Sequence, residues 1–333
     1  MKVGIVGCGG IASVHCKSLS NIDSVTLAGF CDIKKDRALA FSKEYGGKVY
    51  ETIDEMLEGD MDVIHICTPH YLHVPMALAA LKAEKHVFME KPPVMTRKEL
   101  EQLERANELK KTYLGFCFQN RYNPSVLAIK KLLKEKTFGK ILGVRGIVTW
   151  ARHKEYYSES DWRGQLKYEG GGALINQSIH TLDLMDYFIQ DEIHKVDAVM
   201  TNHHLKGRIE VEDTMSIYLE YKNTIGSFYA TNSYAVSTPP LIELECENGR
   251  IRMEELEVTC YHKDGRVESL DIEKKQGYGK SYWGVGHQDC IADFYHCMEV
   301  KKTFQQDLDG VRNCIHLMLD AYDSAREGKV IEY

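Results

Sequence analysis

KVGIVGCGGIA, Lys2 to Ala12, decides how the first third of the chain folds. KVGIV is a short apolar run without alternation, which suits a strand buried on both faces. GCGGIA follows with the spacing G-x-G-x-x-A, and a helical pattern runs on from Ile11 to Leu19. In that spacing Gly7 permits a tight turn and Gly9 lets a pyrophosphate approach the backbone. The small Ala12 lets helix and strand pack closely, and Gly10 and Ile11 lie where the helix N-terminus would face the phosphates. A second apolar run, Val25–Cys31, ends at Asp32, where a carboxylate is expected to bind a ribose diol. A bare glycine turn is the weaker reading, because strand, glycines, helix and acid occur in the required order.

Outward from this unit the alternation continues. Strands are expected at Asp62–Cys67, His86–Met89 and Tyr113–Phe118, with helices at Lys34–Tyr45, Leu72–Lys82 and Arg97–Lys110. Alternating strands and helices imply right-handed crossovers and a parallel sheet with helices on both faces. The pattern changes near Asn120. A helix over Pro124–Leu133 precedes a long strand, Ile141–Trp150. From His194 to Leu270 the runs have period two, which reads as antiparallel sheet. Helices are expected at Val285–Val300 and Gly310–Glu327. The fold class is therefore α/β in residues 1–120, then an α+β domain with a large, mostly antiparallel sheet in residues 121–333.

Bulk properties exclude several functions. The 333 residues exceed what one core usually fills. A net charge of −7 without a basic block argues against nucleic-acid partners. No apolar run is long enough to span a membrane. Val3 to Gly7 is too short for the apolar core of a signal peptide, so none is expected. The ten scattered cysteines contain no C-x-x-C pair and fit reduced thiols in a cytoplasmic protein.

The ends of the third and fourth strands carry Thr68-Pro69-His70 and Glu90-Lys91-Pro92, where open α/β sheets bind ligands. Lys91 either points into that crevice or is a surface lysine of the turn. Further on, GGGALINQSIHTLDL (Gly170–Leu184) puts Asn176, His180 and Asp183 at i, i+4 and i+7, on one helical face. His180 is either a base or a core-facing histidine. The segment Thr149–Gly164, TWARHKEYYSESDWRG, interleaves aromatic rings with arginines. It suits a sugar ring and an acidic group, or is an ordinary amphipathic loop. Trp162 and Arg163 from this segment, together with Arg121, are the substrate-side candidates. His287, Cys290, Asp293 and His296 recur every three residues, but they read as the flanks and buried stripe of a helix, so no metal is expected. His287 can still reach a substrate.

These residues resemble the glucose–fructose oxidoreductase / inositol dehydrogenase (Gfo/Idh/MocA) family. The matching elements are GCGGIA, CTPHYLH (Cys67–His73), ALKAEKHVFMEKP (Ala80–Pro92), FQNRYNP (Phe118–Pro124), WRG (Trp162–Gly164), GGGALINQSIH (Gly170–His180) and GHQDCIADFYHC (Gly286–Cys297). Glu84 departs from the pattern, standing where glycine is common. The resemblance implies a Rossmann domain, a nicotinamide cofactor, a carbohydrate-like substrate and a homodimer or homotetramer formed on the open sheet. It implies Lys91 and His180 as catalytic residues. It puts His73, Glu90 and Asn120 beside Thr68, Pro69 and His70 on the cofactor side. Asn176 matches a position held by aspartate in inositol dehydrogenases and asparagine in other branches, which argues against inositol itself.

Oxidising a secondary alcohol removes a hydride from carbon and a proton from oxygen. An imidazole suits the proton and an ammonium suits the developing oxyanion, while an amide can only donate and accept hydrogen bonds. Asp32 favours NAD over NADP by repelling a 2′-phosphate, although Lys34 and Lys35 stand nearby. The expected activity is NAD(H)-dependent oxidation or reduction at a secondary hydroxyl of a sugar, amino sugar, sugar acid or cyclitol. Two alternatives are an enzyme that retains NAD for elimination or glycosidic cleavage, and a non-catalytic ligand sensor.

Overall fold

A computed structural model of the chain describes residues 1–279 and 284–333. Lys2–Val6 forms β1, with Val3 to Val6 buried. With it pair β2 (Thr26–Cys31), β3 (Lys48–Tyr50), β4 (Val63–Ile66), β5 (His86–Glu90) and β6 (Leu114–Cys117), in the order β3-β2-β1-β4-β5-β6. Every pairing in this sheet is parallel. The order reverses between β1 and β4, the point at which such sheets open a crevice at their strand C-termini. β3 was not expected, because three residues are too few to show a period. The helices Gly10–Leu19, Lys35–Tyr45, His73–Lys82 and Arg97–Asn107 lie close to their expected ranges. Glu84 has φ 55°, the left-handed region that favours glycine.

The chain divides into two compact units, Met1–Gln119 with Gln276–Arg312, and Asn120–Lys275 with Asn313–Tyr333. This differs from a split into 1–120 and 121–333, because Gln276–Arg312 returns to the first unit. Its helix His287–Glu299 turns aromatic residues inward. The Phe294 ring lies 5.0 Å from that of Phe88, and the Tyr295 hydroxyl lies 2.9 Å from His65 Nε2.

The second unit is built on β7 (Ile141–Thr149), β8 (Ile193–Thr201), β9 (Thr214–Tyr221), β10 (Ile225–Thr231), β11 (Leu241–Cys246), β12 (Gly249–Glu254), β13 (Glu257–His262), β14 (Val267–Ser269) and β15 (Ile331–Glu332). Their order is β14-β13-β12-β11-β7-β10-β9-β8-β15. The β7–β10 pair is parallel and the other pairings are antiparallel. The helices Ile179–Ile189 and Arg312–Glu327 cover one face. Gly146 of β7 makes room there for Met185 and Thr181, and Ala198 donates its N–H to Ser324 Oγ at 3.0 Å. β9 shows the expected period two. Met215, Ile217, Leu219 and Tyr221 all point to the buried side, while Tyr218 is exposed. Among the described residues, no helix is long and apolar enough to cross a membrane.

Candidate active site

The glycine turn is built as its spacing requires. Gly7 has φ 87°, and a Cβ there would lie 2.8 Å from the main-chain carbonyl of Cys67. A Cβ on Gly9 would meet nothing within 4 Å. Gly9 caps the helix Gly10–Leu19 without any side chain on its first N–H groups, and Ala12 is fully buried beneath. Gly10 is exposed and Ile11 half-buried. Asp32 is held by the main chain: Cys8 N–H donates to Oδ2 at 2.8 Å and Lys34 N–H to Oδ1 at 2.7 Å. Each carboxylate oxygen keeps a lone pair for a hydroxyl. Lys35 pairs with Glu51 at 2.8 Å. Thr68, at the end of β4, has a buried Oγ1 with no hydrogen-bond partner. An open helix N-terminus, an oriented carboxylate and an orphan hydroxyl fit a dinucleotide.

His73 behaves differently from expectation. It is 1% exposed, and its ring nitrogens lie 2.9 Å from the carbonyls of Pro92 and Thr68. It braces the loops after β4 and β5 against each other rather than presenting its ring to a cofactor. Burial lowers its pKa. Pro69 is half-buried, and His70 is buried at the head of a short 3-10 turn.

Glu90 closes β5 and is also turned inward. Its Oε1 lies 2.9 Å from His15 Nε2; His15 Nδ1 lies 2.9 Å from His65 Nδ1, and His65 Nε2 is 2.9 Å from Tyr295 Oη. Burial opposes a charge on His15, but Cys117 and Glu90 outweigh it and raise its pKa to about 9. Burial likewise opposes the Glu90 carboxylate, yet His15 holds it ionised and its pKa is lowered. His65 is driven neutral by burial and by His15. The protons are thereby assigned: His15 donates from both nitrogens, and His65 accepts at Nδ1 and donates from Nε2. Glu90 thus anchors the end of β5, contrary to its expected place among cofactor ligands.

Lys91 follows, half-buried, with a cis peptide bond to Pro92. Its charge helps hold Glu90 ionised and His287 neutral. His287 opens the helix His287–Glu299. It is 2% exposed, its Nδ1 has no hydrogen-bond partner, and burial first, then His15 and Lys91, push its pKa down to about 4. Further along this helix Cys290 donates to Gln306 Oε1 at 3.2 Å and is buried, while His296 is exposed.

In the second unit the glycine run serves packing. A Cβ on Gly171 would sit 2.1 Å from Tyr322 Oη, and one on Gly172 would sit 2.1 Å from the Glu212 carbonyl. The carboxylate of Glu212 accepts from Gly172 N–H at 2.8 Å, Leu174 N–H at 3.0 Å and Tyr322 Oη at 2.8 Å. These glycines therefore clear space for Glu212 and Tyr322.

Ala173–Ser178 forms a π-helical turn before the α-helix Ile179–Ile189. Such turns recur at functional sites. The expected single face of Asn176, His180 and Asp183 is split. Asn176 and His180 are half-buried, whereas Asp183 is 1% exposed and ion-paired with Arg121. Arg121 donates from Nε at 2.9 Å and Nη2 at 2.5 Å, and stacks 4.7 Å from the Tyr187 ring. At 4% exposure it is a structural ion pair, which corrects its expected substrate role. Asn120 is half-buried, with Oδ1 unpartnered.

The aromatic segment does converge on Asn176. Asn176 Nδ2 donates to the Glu169 carboxylate and to Tyr156 Oη at 3.4 Å. Gln177 Nε2 donates to the same hydroxyl at 2.5 Å, and Arg163 stacks 4.3 Å from the Tyr156 ring and 5.4 Å from that of Trp162. Glu169 also accepts from Gly164 N–H. Burial pushes its pKa up to about 7, against those hydrogen bonds.

Residues 1–116 match the model of an oxidoreductase family with an NAD-binding Rossmann fold, and residues 126–252 match the Gfo/Idh/MocA C-terminal domain. The chain belongs to the Gfo/Idh/MocA family. It is 30% identical over 231 residues to glucose-6-phosphate 3-dehydrogenase of Bacillus subtilis strain 168, covering 67% of this chain and 65% of that protein. It is 24% identical over 230 residues to myo-inositol 2-dehydrogenase of Thermotoga maritima, covering 67% and 66%. The matched regions thus span just under two thirds of each relative. The WlbA dehydrogenase from Bordetella pertussis, solved with NADH and UDP-GlcNAcA, superposes with a TM-score of 0.87 at 26% identity, over 100% of this chain and 98% of that one.

The N-terminal match is to an oxidoreductase family with an NAD-binding Rossmann fold, and the cradle at Gly9, Asp32 and Thr68 is fit for that cofactor. His15, Tyr156, Glu169 and Gln177 were not singled out from sequence. The available signals were His15, a polar residue on the apolar stripe of the first helix, and the place of Tyr156 in the aromatic segment Thr149–Gly164.

Proposed function

We propose that the chain transfers a hydride between NAD(H) and a secondary hydroxyl of a sugar, amino sugar or sugar acid, with cyclitols as a further class. The observation that carries this is Lys91, at the C-terminal end of β5 in the sheet whose β1 leads into the open Gly9 cradle. Bound nicotinamide supplies the carbon that accepts or gives the hydride. Lys91 donates to the substrate oxygen and stabilises the charge that develops there. His180 removes the hydroxyl proton. Asn176, fixed by Glu169 and Tyr156, grips a second hydroxyl or orients His180. Trp162 and Arg163 flank the sugar, and the unpartnered Nδ1 of neutral His287 offers it a further acceptor. Asn120 Oδ1 supplies a cofactor contact.

Two finer readings go with this. Val199, Tyr218 and Ile225 are exposed on the uncovered sheet face and support a homodimer or homotetramer formed there. Ten unpaired, buried cysteines support a reducing, cytoplasmic setting.

The test is NADH formation from NAD⁺ over a panel of hexoses, hexuronates, amino sugars, sugar phosphates and inositols, and the reverse reaction with the matching ketones. Turnover in either direction supports the reading. Substrate consumption without net NADH would point instead to a retained cofactor, and binding without turnover to a sensor.

A further inference from the structure

We propose that a cleft in the second unit is a subsite for an anionic group, carboxylate or phosphate, carried on the sugar. This rests on the reading above that the substrate is sugar-like, and it specifies what else that substrate bears. The cleft has a volume of ≈ 360 Å³, and Arg152, Lys154, His204, Arg208, Asn232 and Tyr234 are among its walls. Its three permanent cations face one acid, Glu155, which lies 3.8 Å from Lys154. Arg152 and Arg208 therefore remain as net positive charge.

The two arginines are differently prepared. Arg152 is fixed: its Nε donates to Gln177 Oε1 at 2.9 Å, its Nη1 to the Ala151 carbonyl at 3.3 Å, and its guanidinium stacks 4.6 Å from the Trp150 ring. A planar cation held in this way has little rotamer freedom left to lose on binding an oxyanion. Arg208 is exposed on the facing loop, with no acid paired to it among the described residues.

A second, independent observation points to a ligand with hydroxyls. Asn232 is 2% exposed and lines the same cleft. Its Nδ2 donates to Tyr157 Oη at 3.2 Å, which leaves Oδ1 buried without a hydrogen-bond partner. Buried acceptors in folded proteins nearly always have a donor, from protein, water or ligand. Cations for an oxyanion beside an acceptor for a hydroxyl describe a sugar acid or sugar phosphate.

The cleft is also wired to the proposed catalytic helix within the same unit. Gln177, which holds Arg152, donates to Tyr156 Oη, and that hydroxyl also receives Asn176 Nδ2. One ligand can thus carry its anion at Arg152 and Arg208 and its reacting hydroxyl toward Asn176.

The experiment is calorimetric titration of the full chain, with NADH present, using glucose, glucuronate and glucose 6-phosphate as probes. At least one anionic sugar should bind about tenfold more tightly than glucose, the usual worth of a charged hydrogen bond. Glucuronate or glucose 6-phosphate being preferred identifies carboxylate or phosphate. Arg208→Glu should abolish the preference and leave the glucose Kd within about twofold, and Arg208→Gln should fall between. Equal affinity for all three sugars, no binding by either anion, or an unchanged preference in Arg208→Glu would overturn the subsite. Binding is read without turnover, so the outcomes separate. Preference for an anion without hydride transfer sinks the dehydrogenase reading alone, while oxidation of sugars without that preference sinks the subsite alone.

Discussion

Asn176 donates its amide to the buried carboxylate of Glu169, so the residue beside His180 in the helix is oriented by an acid seven positions earlier. Burial raises the Glu169 pKa to about 7 from 4.5. The native state then binds more protons than the unfolded chain between those values, and stability falls as pH rises across that window. Glu169→Gln removes the charge but keeps an acceptor. Its Tm should match wild type near pH 4.5 and exceed it above pH 7, by the equivalent of about 2–3 kcal/mol. A Tm difference that stayed flat across the window would show that Glu169 does not titrate there.

Asp32 should set cofactor choice. Its carboxylate is held at both oxygens by main-chain N–H groups, and Lys35 is turned to Glu51. A 2′-phosphate would meet a fixed negative charge. NADH should bind at least tenfold more tightly than NADPH, roughly the worth of one charged contact, and Asp32→Ser should narrow the gap. Tighter binding of NADPH to the wild type would remove Asp32 from this role.

The first sheet was legible because its signals are contiguous: β1, Gly7, Gly9, Ala12 and Asp32 lie within one βαβ span. The site in the second unit was legible only in part. Spacing reveals a helical face but not its hydrogen-bond register, so the π turn at Ala173–Ser178 was hidden. Arg121 was misread because its partner Asp183 lies 62 positions away. Glu169 gave no signal at all, since its environment exists only after Gly164 and Asn176 have closed on it. The return of Gln276–Arg312 to the first unit likewise depends on where Phe294 and Tyr295 find partners, and no local pattern encodes that.

The His15–Glu90 pair makes a separate pH claim. The His15 pKa is raised to about 9 from 6.5, so its stabilisation is complete below about pH 6.5 and fades as pH rises through about 9. Glu90, lowered from 4.5, adds stability above that value and loses it as pH falls further. The double variant His15→Gln/Glu90→Gln removes both charges without leaving either buried alone. The Tm advantage of wild type over it should shrink between about pH 6.5 and 9.5. An advantage that grew with pH would mean His15 is neutral in the native state.

Gly172 and Gly9 should separate stability from binding. A Cβ on Gly172 collides with the Glu212 carbonyl, whose residue also caps Gly172 and Leu174 through its carboxylate. Gly172→Ala should therefore cost about 2–4 kcal/mol of stability by forcing that contact apart. A Cβ on Gly9 enters open space at the cradle. Gly9→Ala should leave Tm nearly unchanged and weaken NADH binding, as measured by fluorescence titration. The reverse pattern would mean that the cradle is not where the cofactor's phosphates lie.

Lys91 and His180 should divide the chemistry between them. Lys91 is proposed to stabilise charge on oxygen, so Lys91→Met should lower kcat about 10²–10³-fold with the NADH Kd near normal. His180 is proposed to move the proton, so His180→Ala should lower kcat/KM about 10²–10⁴-fold. Added imidazole should restore part of the His180→Ala rate, because a small base can enter the space left by the ring, and it should do nothing for Lys91→Met. Groups that act on one transition state are not additive, so the double variant should lose less than the product of the two single losses. A tenfold or smaller loss in Lys91→Met would make that lysine a bystander. Full activity in His180→Ala would send the proton by another route, with Lys91 the nearest candidate in chemistry.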